Sequence, residues 1–330
     1  MKIAIVILNW NGKKLLEQFL PSILSYSKEA TIYIADNASS DDSISFIKGN
    51  YPEISIIQNS QNGGYAKGYN DALQHITSDI YCLLNSDIEV TENWLQPIIK
   101  EFENNANIAA VQPKILDFKD KTKFEYAGAG GGFIDKYGYP YCRGRIFDTI
   151  ETNTNQYNDT TDIFWASGAC FFIKSDVFHN LNGFDEDYFA HQEEIDLCWR
   201  IQNAGHHIKY IGTSTVYHVG GATLTTQNPK KTFLNFRNSL FNLVKNAPKN
   251  KGFGLIFTRL CLDGLAGIKY ILDLKPLHTF AIIKAHFSFY IQFSKMLKKR
   301  NKATKKINYY HTKSIVWDYY ISKKKCIHHK

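Results

Sequence analysis

Residues 3–12 read IAIVILNWNG, an apolar run that stops abruptly at Asn9 and gives way to polar residues and a glycine. A short run that is apolar at every position is typical of a strand buried on both faces of a sheet. The run is shorter than the core of a signal peptide, and no small-residue cleavage site follows it. The segment therefore predicts a buried first strand that ends in polar side chains.

The first hundred residues continue the same pattern, with short apolar runs alternating with helical periodicity. Strands are predicted over 3–8, 31–35, 54–58 and 80–84, and helices over 12–26, 41–48, 65–76 and 91–103. This alternation is the βα rhythm of a mostly parallel α/β sheet flanked by helices. Such sheets bind ligands at the carboxyl ends of their strands, where this chain has residues 9–11, 36–37, 58–59 and 85–87, all rich in Asn and Asp.

The rest of the chain divides into three unlike stretches. Residues 113–160 are rich in Gly, Tyr, Asn and Thr and predict short strands or loops. Residues 163–223 form a second ordered block, with strands predicted over 169–173 and 208–211 and a helix over 193–203. We place a domain boundary after residue 225, which leaves 226–330 as a C-terminal helical extension.

Composition and charge limit the function classes. Of the 330 residues, 44% are hydrophobic and 14% aromatic, which is typical of a globular protein. The net charge of +8 comes from residues 295–330, which hold 12 of the 39 basic residues and one acid, Asp318. The remainder is slightly acidic, so a nucleic-acid-binding domain is disfavoured. The six cysteines include no CxxC pair, which disfavours a zinc knuckle or a disulfide framework and favours a reducing compartment.

Two segments predict a nucleotide site. Asp36 ends the second strand, where its carboxylate can accept a hydrogen bond from a nucleobase or a ribose; helix capping explains the neighbouring acids but not this one. The segment 62–70 opens a helix with Gly63, which allows the backbone to approach a ligand. Its spacing resembles a phosphate loop, but Tyr69 and Asn70 stand where Lys and Ser or Thr are required, so a P-loop is excluded.

Carboxylates and a histidine further along the chain suggest metal binding and general-base chemistry. A divalent cation on a nucleoside diphosphate needs only one or two protein carboxylates, which suits Asp87, although Asp87 also fits a simple turn. His218, at the end of a strand, is a candidate second ligand. Acids at 193, 194 and 196 suit the start of a helix electrostatically, and the same helix dipole would keep a base ionised.

The region 251–297 predicts an amphipathic helix. At 100° per residue, Arg259, Asp263, Lys269 and Asp273 fall within a sector of about 120°, and aliphatic residues lie opposite. One interpretation is a helix packed on the catalytic core. The other, which we favour, is a helix on an anionic membrane surface supported by the Lys-rich tail.

Taken in order, these motifs resemble the inverting family-2 glycosyltransferases of the GT-A fold, and in particular the rhamnosyltransferase-like branch that builds bacterial envelope polysaccharides. The matching segments are 6–12, 36–39, 62–70, 84–87, 167–170, 182–186, 193–200 and His218.

The resemblance implies a role for each matching residue. The donor nucleotide would be held by Asn9, Asp36, Asn62, Gly63, Asn70 and Ser86, and Mg²⁺ or Mn²⁺ by Asp87 and His218. Glu194 would be the catalytic base, although it is one methylene longer than the usual Asp and leaves Glu193 as an alternative. Asn85 replaces the first carboxylate of the family's metal motif. Trp165, Gly168 and His191 are candidates for contacts with the acceptor or the donor sugar.

The resulting hypothesis is a metal-dependent enzyme at the inner face of the cytoplasmic membrane. It would transfer a sugar from UDP, dTDP or GDP to a glycan or a lipid-linked glycan, with peripheral contact to anionic lipid through 251–330. The alternative is a non-catalytic nucleotide- or carbohydrate-binding module that keeps the fold. A nucleotidyltransferase or an epimerase is disfavoured because no Gly-rich loop follows the first strand.

Overall fold

The computed structural model describes residues 1–220, 228–248, 252–300 and 308–327. The predicted boundary after residue 225 and several lysines of the basic tail lie outside these residues. The strands are β1 (Ile3–Asn9), β2 (Ala30–Asp36), β3 (Ser55–Gln58), β4 (Ile80–Asn85), β5 (Ile88–Val90), β6 (Ile108–Asp117), β7 (Gly132–Ile134), β8 (Pro140–Cys142), β9 (Arg145–Ile146), β10 (Thr149–Ile150), β11 (Thr160–Asp162), β12 (Cys170–Lys174) and β13 (His207–His218).

The helices alternate with the strands in the first half of the chain and follow them in the second. They are α1 (Lys13–Tyr26), α2 (Ser43–Asn50), α3 (Gly64–Leu73), α4 (Leu95–Asn104), α5 (Ser175–Asn180), α6 (Glu193–Asn203), α7 (Pro229–Asn246), α8 (Gly252–Leu272), α9 (Pro276–Lys298) and α10 (Ile315–Tyr320), with a short 3-10 helix over Glu186–Tyr188.

The main sheet confirms the predicted α/β class. Its strand order is β11-β13-β6-β12-β4-β1-β2-β3, with β5 added beside β13. Strands β4, β1, β2 and β3 are parallel to one another, whereas β12 is antiparallel to both of its neighbours. Leu16, Leu20 and Ile23 of α1 pack on one face of this sheet, and Ala66, Tyr69 and Ala72 of α3 pack on the other. Burial on both faces explains why the apolar runs show no alternation.

The stretch 113–160 forms the predicted short strands. Strands β7 to β10 make a separate four-stranded antiparallel sheet. The sequence interpretation missed two features beside it, namely the long buried strand β6 and the three-residue strand β5. Both matter for the site, because β5 and β6 flank the end of β13.

The C-terminal helices pack on the same body. Leu243 of α7 and Leu255 of α8 belong to the hydrophobic core that lies against α3 and α6. Lys245 of α7 reaches the buried Asp196 of α6 at 2.8 Å. Of the helices in the described ranges, none combines the length and the hydropathy needed to cross a membrane.

Half of the charged sector of helix α8 faces the protein, whereas Lys269 and Asp273 of the same sector are exposed. Arg259 and Asp263 are 2% and 0% exposed, and their side chains are 2.7 Å apart. Leu265 and Ile268, on the opposite sector, are more than half exposed. The first half of the helix is therefore packed on the core partly through Arg259 and Asp263, and much of the apolar sector of its second half points outward.

Candidate active site

The carboxyl ends of β1 and β2 bring Asn9 and Asp36 side by side, since the two residues are register partners. The Asn9 amide donates hydrogen bonds to Asp36 Oδ1 at 3.0 Å and to Ser39 Oγ at 3.1 Å, and the Ser39 backbone N–H donates to Asp36 Oδ2 at 3.0 Å. Both Asn9 and Asp36 are buried. Asn9 thus orients the carboxylate of Asp36, and Asp36 keeps acceptor capacity on both oxygens.

Next to this pair, three asparagine amides link the ends of β2 and β3 to the start of α3. Asn37 donates to Asn62 Oδ1 at 3.0 Å, and Asn59 donates to Asn37 Oδ1 at 3.2 Å. Asn62 Oδ1 also accepts the Gly64 backbone N–H at 3.0 Å. The side-chain amide of Asn37, at the end of β2, therefore positions Asn62. Asn37 and Asn59 were visible in the sequence only as polar residues at strand ends.

Gly64, rather than the predicted Gly63, is the glycine that this loop requires. Gly64 has a φ of +77°, and a Cβ there would lie 2.5 Å from the carbonyl oxygen of Phe189. A Cβ on Gly63 would meet only the flexible side chain of Lys67. The close approach allows the Tyr65 backbone N–H to donate to Phe189 O at 3.1 Å, so the start of α3 rests on the loop before α6.

Asn70, a predicted nucleotide contact, uses its amide elsewhere. Its Nδ2 donates to Phe184 O and its Oδ1 accepts from Phe184 N, both at 2.9 Å. Asn70 lies in the second half of α3, beyond the turn that faces the strand ends. These bonds fasten α3 to the segment before α6, and the contact of Asn70 with a nucleotide stays a prediction.

Asp87 and His218 meet at the far end of β4. Ser86 and Asp87 form the tight turn between β4 and β5, and β5 pairs with β13 so that Ile88 lies opposite His218. This pairing places Asp87 Oδ1 3.1 Å from His218 Nε2. Ser86 lies next to the first strand's loop, since a Cβ on Gly12 would be 3.7 Å from Ser86 Oγ.

Glu125, which the sequence interpretation missed, completes this cluster. Its Oε1 is 3.4 Å from His218 Nδ1, on the side of the ring opposite Asp87. Burial alone would lower the pKa of His218, but contacts with Asp87 and Glu125 raise it to about 10. Glu125 lies in a loop without periodicity, so nothing in the sequence indicated it.

The cluster fits a cation that is shared with a ligand. Because His218 lies between the two carboxylates, they cannot converge on one ion, and no trio of His, Cys, Asp or Glu in the described ranges forms a complete metal site. Asp87 Oδ1 and His218 Nε2 form an ion pair at 3.1 Å, so a divalent cation held by both would take the place of the proton between them. Glu125 would orient the imidazole, as outer carboxylates commonly do.

Helix α6 begins with acids in contrasting environments. Burial and the charge of Glu194 raise the pKa of Glu193 well above its usual range, whereas burial raises that of the half-buried Glu194 to about 7. Burial would also raise the pKa of Asp196, but Lys245 and Arg200 hold it well below its ordinary value. Asp196 is therefore a fixed structural anion, and Glu194 is the group suited to exchange a proton near neutral pH.

The loop before α6 has an unusual backbone. Phe189, His191 and Gln192 all have φ between +65° and +69°, a region that non-glycine residues seldom occupy. The Asn238 amide of α7 donates to the carbonyls of residues 188, 190 and 191 at 3.1, 3.1 and 2.7 Å. Asn242 contacts the carbonyl of Gln192 as well. Helix α7 thus holds the strained loop that positions Glu194.

The three candidates for sugar contacts lie in different surroundings. Trp165 is a core residue, since its Nε1 donates to Phe133 O at 2.9 Å and its ring packs against Gly132, which leaves no support for a ligand contact. Gly168 O accepts from the Tyr65 hydroxyl at 2.8 Å. His191 has a buried Nε2 that finds no hydrogen-bond partner among the described residues, and burial together with Lys231 lowers its pKa to about 4.

The comparisons with known proteins fit this geometry. The sequence profile of glycosyl transferase family 2 matches residues 4–181, more than half of the chain. The chain belongs to glycosyl transferase family 2. The match covers β1 to β12 with Asn9, Asp36 and Asp87, and it ends before α6 and His218.

Curated relatives of this glycosyltransferase have low sequence identity. It is 24% identical over 220 residues to the N-acetylglucosaminyl-diphospho-decaprenol L-rhamnosyltransferase of Mycobacterium tuberculosis, covering 62% of this chain and 71% of the relative. It is 27% identical over 160 residues to rhamnosyltransferase WbbL of Escherichia coli K12, covering 48% of this chain and 59% of the relative.

Solved structures share the fold of the glycosyltransferase. The mannosyltransferase PcManGT of Pyrobaculum calidifontis, in complex with GDP-Man and Mn²⁺, matches with a TM-score of 0.55 at 14% identity, covering 88% of this chain and 87% of that one. TarS of S. aureus in complex with UDP-GlcNAc matches with a TM-score of 0.56 at 12% identity, covering 91% and 84%. Both neighbours support the GT-A fold.

Proposed function

We propose that this family-2 enzyme is an inverting glycosyltransferase that moves a sugar from a UDP, dTDP or GDP donor to a hydroxyl of a glycan or lipid-linked glycan. The setting we propose is bacterial envelope polysaccharide synthesis, in line with the names of the two rhamnosyltransferase relatives. The observation that carries the proposal is the grouping of Asp36, Asp87 and the start of α6 around one sheet edge.

The contacts that link these groups are short. Tyr65 lies close enough to Glu193 and Glu194 for their charges to raise the pKa of its phenol, after the larger effect of burial. The Tyr65 hydroxyl bonds Gly168 O, and the adjacent Ala169 O accepts the Asn85 backbone N–H at 3.0 Å. The base therefore lies close to the strand end that carries Asp87.

In the proposed mechanism, Asp36 receives the donor nucleobase or ribose, and Asn9 keeps its carboxylate oriented. Asp87 and His218 would hold a divalent cation, which when bound neutralises charge on the leaving diphosphate. Glu194 accepts the proton of the acceptor hydroxyl as its oxygen attacks the anomeric carbon from the face opposite the diphosphate. One carboxylate suffices for a single displacement, and the product has inverted anomeric configuration.

Glu194 is the better candidate than Glu193 for the base. Its pKa of about 7 lets it be ionised at neutral pH and still bind a proton strongly in the transition state. Glu193 is almost fully buried, and burial together with the charge of Glu194 raises its pKa well above the usual range, so it is less suited to accept a proton from an acceptor.

The test is transfer from a panel of nucleotide sugars to glycan acceptors, with product configuration read by NMR. We expect Glu194→Gln to abolish transfer and leave nucleotide binding intact. We expect Asp87→Ala to weaken Mn²⁺-dependent nucleotide binding at least about tenfold, measured by calorimetry. Stoichiometric nucleotide binding with no turnover on any acceptor would instead favour the non-catalytic module, and transfer unaffected by both substitutions would refute the mechanism.

A peripheral place at the inner face of the cytoplasmic membrane is part of the proposal. Its support is the outward apolar face of α8 and α9 together with the basic C-terminal residues.

A further inference from the structure

Helices α8 and α9 form an antiparallel hairpin whose outer side is apolar. On α8 the exposed residues include Leu265, Ile268 and Leu272, and on α9 they include Phe280, Phe287 and Ile291. We call this surface the α8–α9 face. Leu272 is 76% exposed and Ile291 is 84% exposed, so these side chains meet water instead of the rest of the chain. A row of large exposed apolar residues on two adjoining helices marks an interaction surface.

Buried polar contacts on the opposite side of α8 fix the orientation of the helix. Arg259 Nε contacts Asp263 Oδ1 at 2.7 Å, and its Nη1 donates to the carbonyl of Tyr137 at 3.0 Å. Asp263 also accepts from the Tyr139 hydroxyl at 2.8 Å, and its other oxygen lies 3.2 Å from His286 Nε2 of α9. Because breaking a buried ion pair is costly, this network prevents α8 from turning its apolar sector inward.

Charge around the face identifies the partner. Between residues 269 and 300 the sequence has seven Lys or Arg residues and one acid, Asp273. Lys284 and Lys298 lie exposed along α9 beside its apolar row, and Lys295, also exposed, pairs with Asp187 at 2.6 Å. Apolar side chains with a basic margin match an anionic bilayer, in which acyl chains lie beneath negatively charged headgroups. A two-fold pairing of two copies would instead bring the same lysines together, and like charges oppose such an interface.

We propose that the α8–α9 face docks on an anionic lipid bilayer, with the apolar rows of both helices inserted among the headgroups and the lysines at the phosphate level. The inference deepens the proposed function and rests on it only in expecting the acceptor at the same surface. Leu274 and Leu277, in the turn between the helices, are 89% and 65% exposed and extend the face to the tip of the hairpin.

A chain of contacts connects the tip of the hairpin to the candidate active site. His278 Nδ1, next to Leu277, is 2.7 Å from the Thr232 hydroxyl of α7. The neighbouring Lys231 lies within electrostatic range of Glu125, the residue that contacts His218. Docking through this face would therefore hold the Asp87–His218 end of the site near the bilayer, where a lipid-linked acceptor carries its diphosphate.

The experiment is co-sedimentation of the full-length chain with vesicles of phosphatidylglycerol and phosphatidylethanolamine, and with phosphatidylcholine vesicles. We expect binding to the anionic vesicles. Phe280→Asp and Ile291→Asp should each lower the partition coefficient at least about tenfold, since each removes a large side chain from the lipid interface. Tyr26→Asp is the matched control, because it adds the same charge at an exposed aromatic outside the hairpin and should leave binding unchanged.

Three outcomes would overturn the inference. In the first, the two hairpin substitutions leave vesicle binding unchanged, and about 0.5 M salt abolishes it. This result would assign attachment to the lysines alone. The second is a dimer by light scattering that the same substitutions convert to monomer without any vesicle binding. The third is no binding to anionic vesicles by a protein whose circular dichroism and nucleotide binding are native. Because no sugar is transferred in this assay, its result is separate from the test of the glycosyltransferase activity.

Discussion

Three acidic residues within four positions of α6 differ in what surrounds them. Burial and the charge of Glu194 raise the pKa of Glu193, and burial raises the pKa of the half-buried Glu194. Asp196 is fully buried too, but it has Lys245 and Arg200 as ion-pair partners and Asn246 as a donor at 2.8 Å. The sequence showed only three acids at a helix start. Two partners of Asp196, Lys245 and Asn246, are about 50 residues further along the chain, so the division between structural and reactive acids required the fold.

The raised pKa of Glu194 predicts the pH dependence of transfer. Below a pH of about 7 the carboxyl is protonated and cannot accept the acceptor proton, so kcat/KM should fall about tenfold for each pH unit. Above that pH, kcat/KM should reach a plateau. Glu193→Gln should keep most of the activity, and initial rates over the pH range check both variants. A dead Glu193→Gln enzyme beside an active Glu194→Gln enzyme would reverse the assignment.

Asn238 should act as a positioning residue for that base. Asn238→Ala removes the donor shared by three carbonyls of the strained loop, so Glu194 loses its fixed position. We expect kcat to fall about tenfold to a hundredfold, because small displacements of reacting groups are costly, while the KM for the donor changes little. Asn235→Ala is the matched control on α7, since residue 235 contacts Gln192 through its backbone carbonyl. An equal loss in the control, or a rise in donor KM alone, would contradict this role.

At the scale of the elements, α8 shows what periodicity can and cannot establish. The sequence predicted a helix with one charged and one apolar sector, and both sectors exist. Burial of Arg259 and Asp263 depended on polar partners in the segment before β8, in α7 and in α9, such as Tyr139, Ser239 and His286. Those contacts join positions up to 124 residues apart, which a local pattern cannot indicate.

The same helix predicts a difference between two ion pairs of equal spacing. Asp263→Ala leaves Arg259 charged and buried, so the free energy of unfolding should fall by about 3–5 kcal/mol. Asp273→Ala removes an exposed partner of Lys269 and should cost no more than about 1 kcal/mol. Urea denaturation followed by circular dichroism measures both. Similar losses in the two variants would show that the buried network does not fasten α8.

At the scale of the whole molecule, the sequence predicted the parallel half of the sheet well and the antiparallel half less well. Strands β1, β2, β3 and β4 lie within one residue of their predicted bounds, and burial on both faces gives β1 and β4 continuous apolar runs. Strand β5 is only three residues long, and β13 extends seven residues past its prediction. The pairing of these two strands creates the contact between Asp87 and His218, so the sequence named both residues and only the fold explains their meeting.

The shared core predicts that the chain cannot be divided after residue 225. Removing 226–330 takes Leu243, Ala247 and Leu255 from the main core and leaves Asp196 buried without Lys245. We expect the shortened chain to lack a cooperative thermal transition and native near-ultraviolet circular dichroism. A shortened chain that unfolds cooperatively and still binds nucleotide would show instead that 1–225 is an independent domain.

The contacts of the Asn238 amide restrict which residues can replace Asn238 in related sequences. A carboxylate at this position would face three carbonyl oxygens, and a longer amide would have to displace the loop backbone that it now contacts at 2.7 Å. Few replacements are therefore tolerated, although the residue lies on a helix well outside the stretch that defines the family. Among homologues that keep Glu194, asparagine at 238 should persist even where the lysines of the hairpin vary.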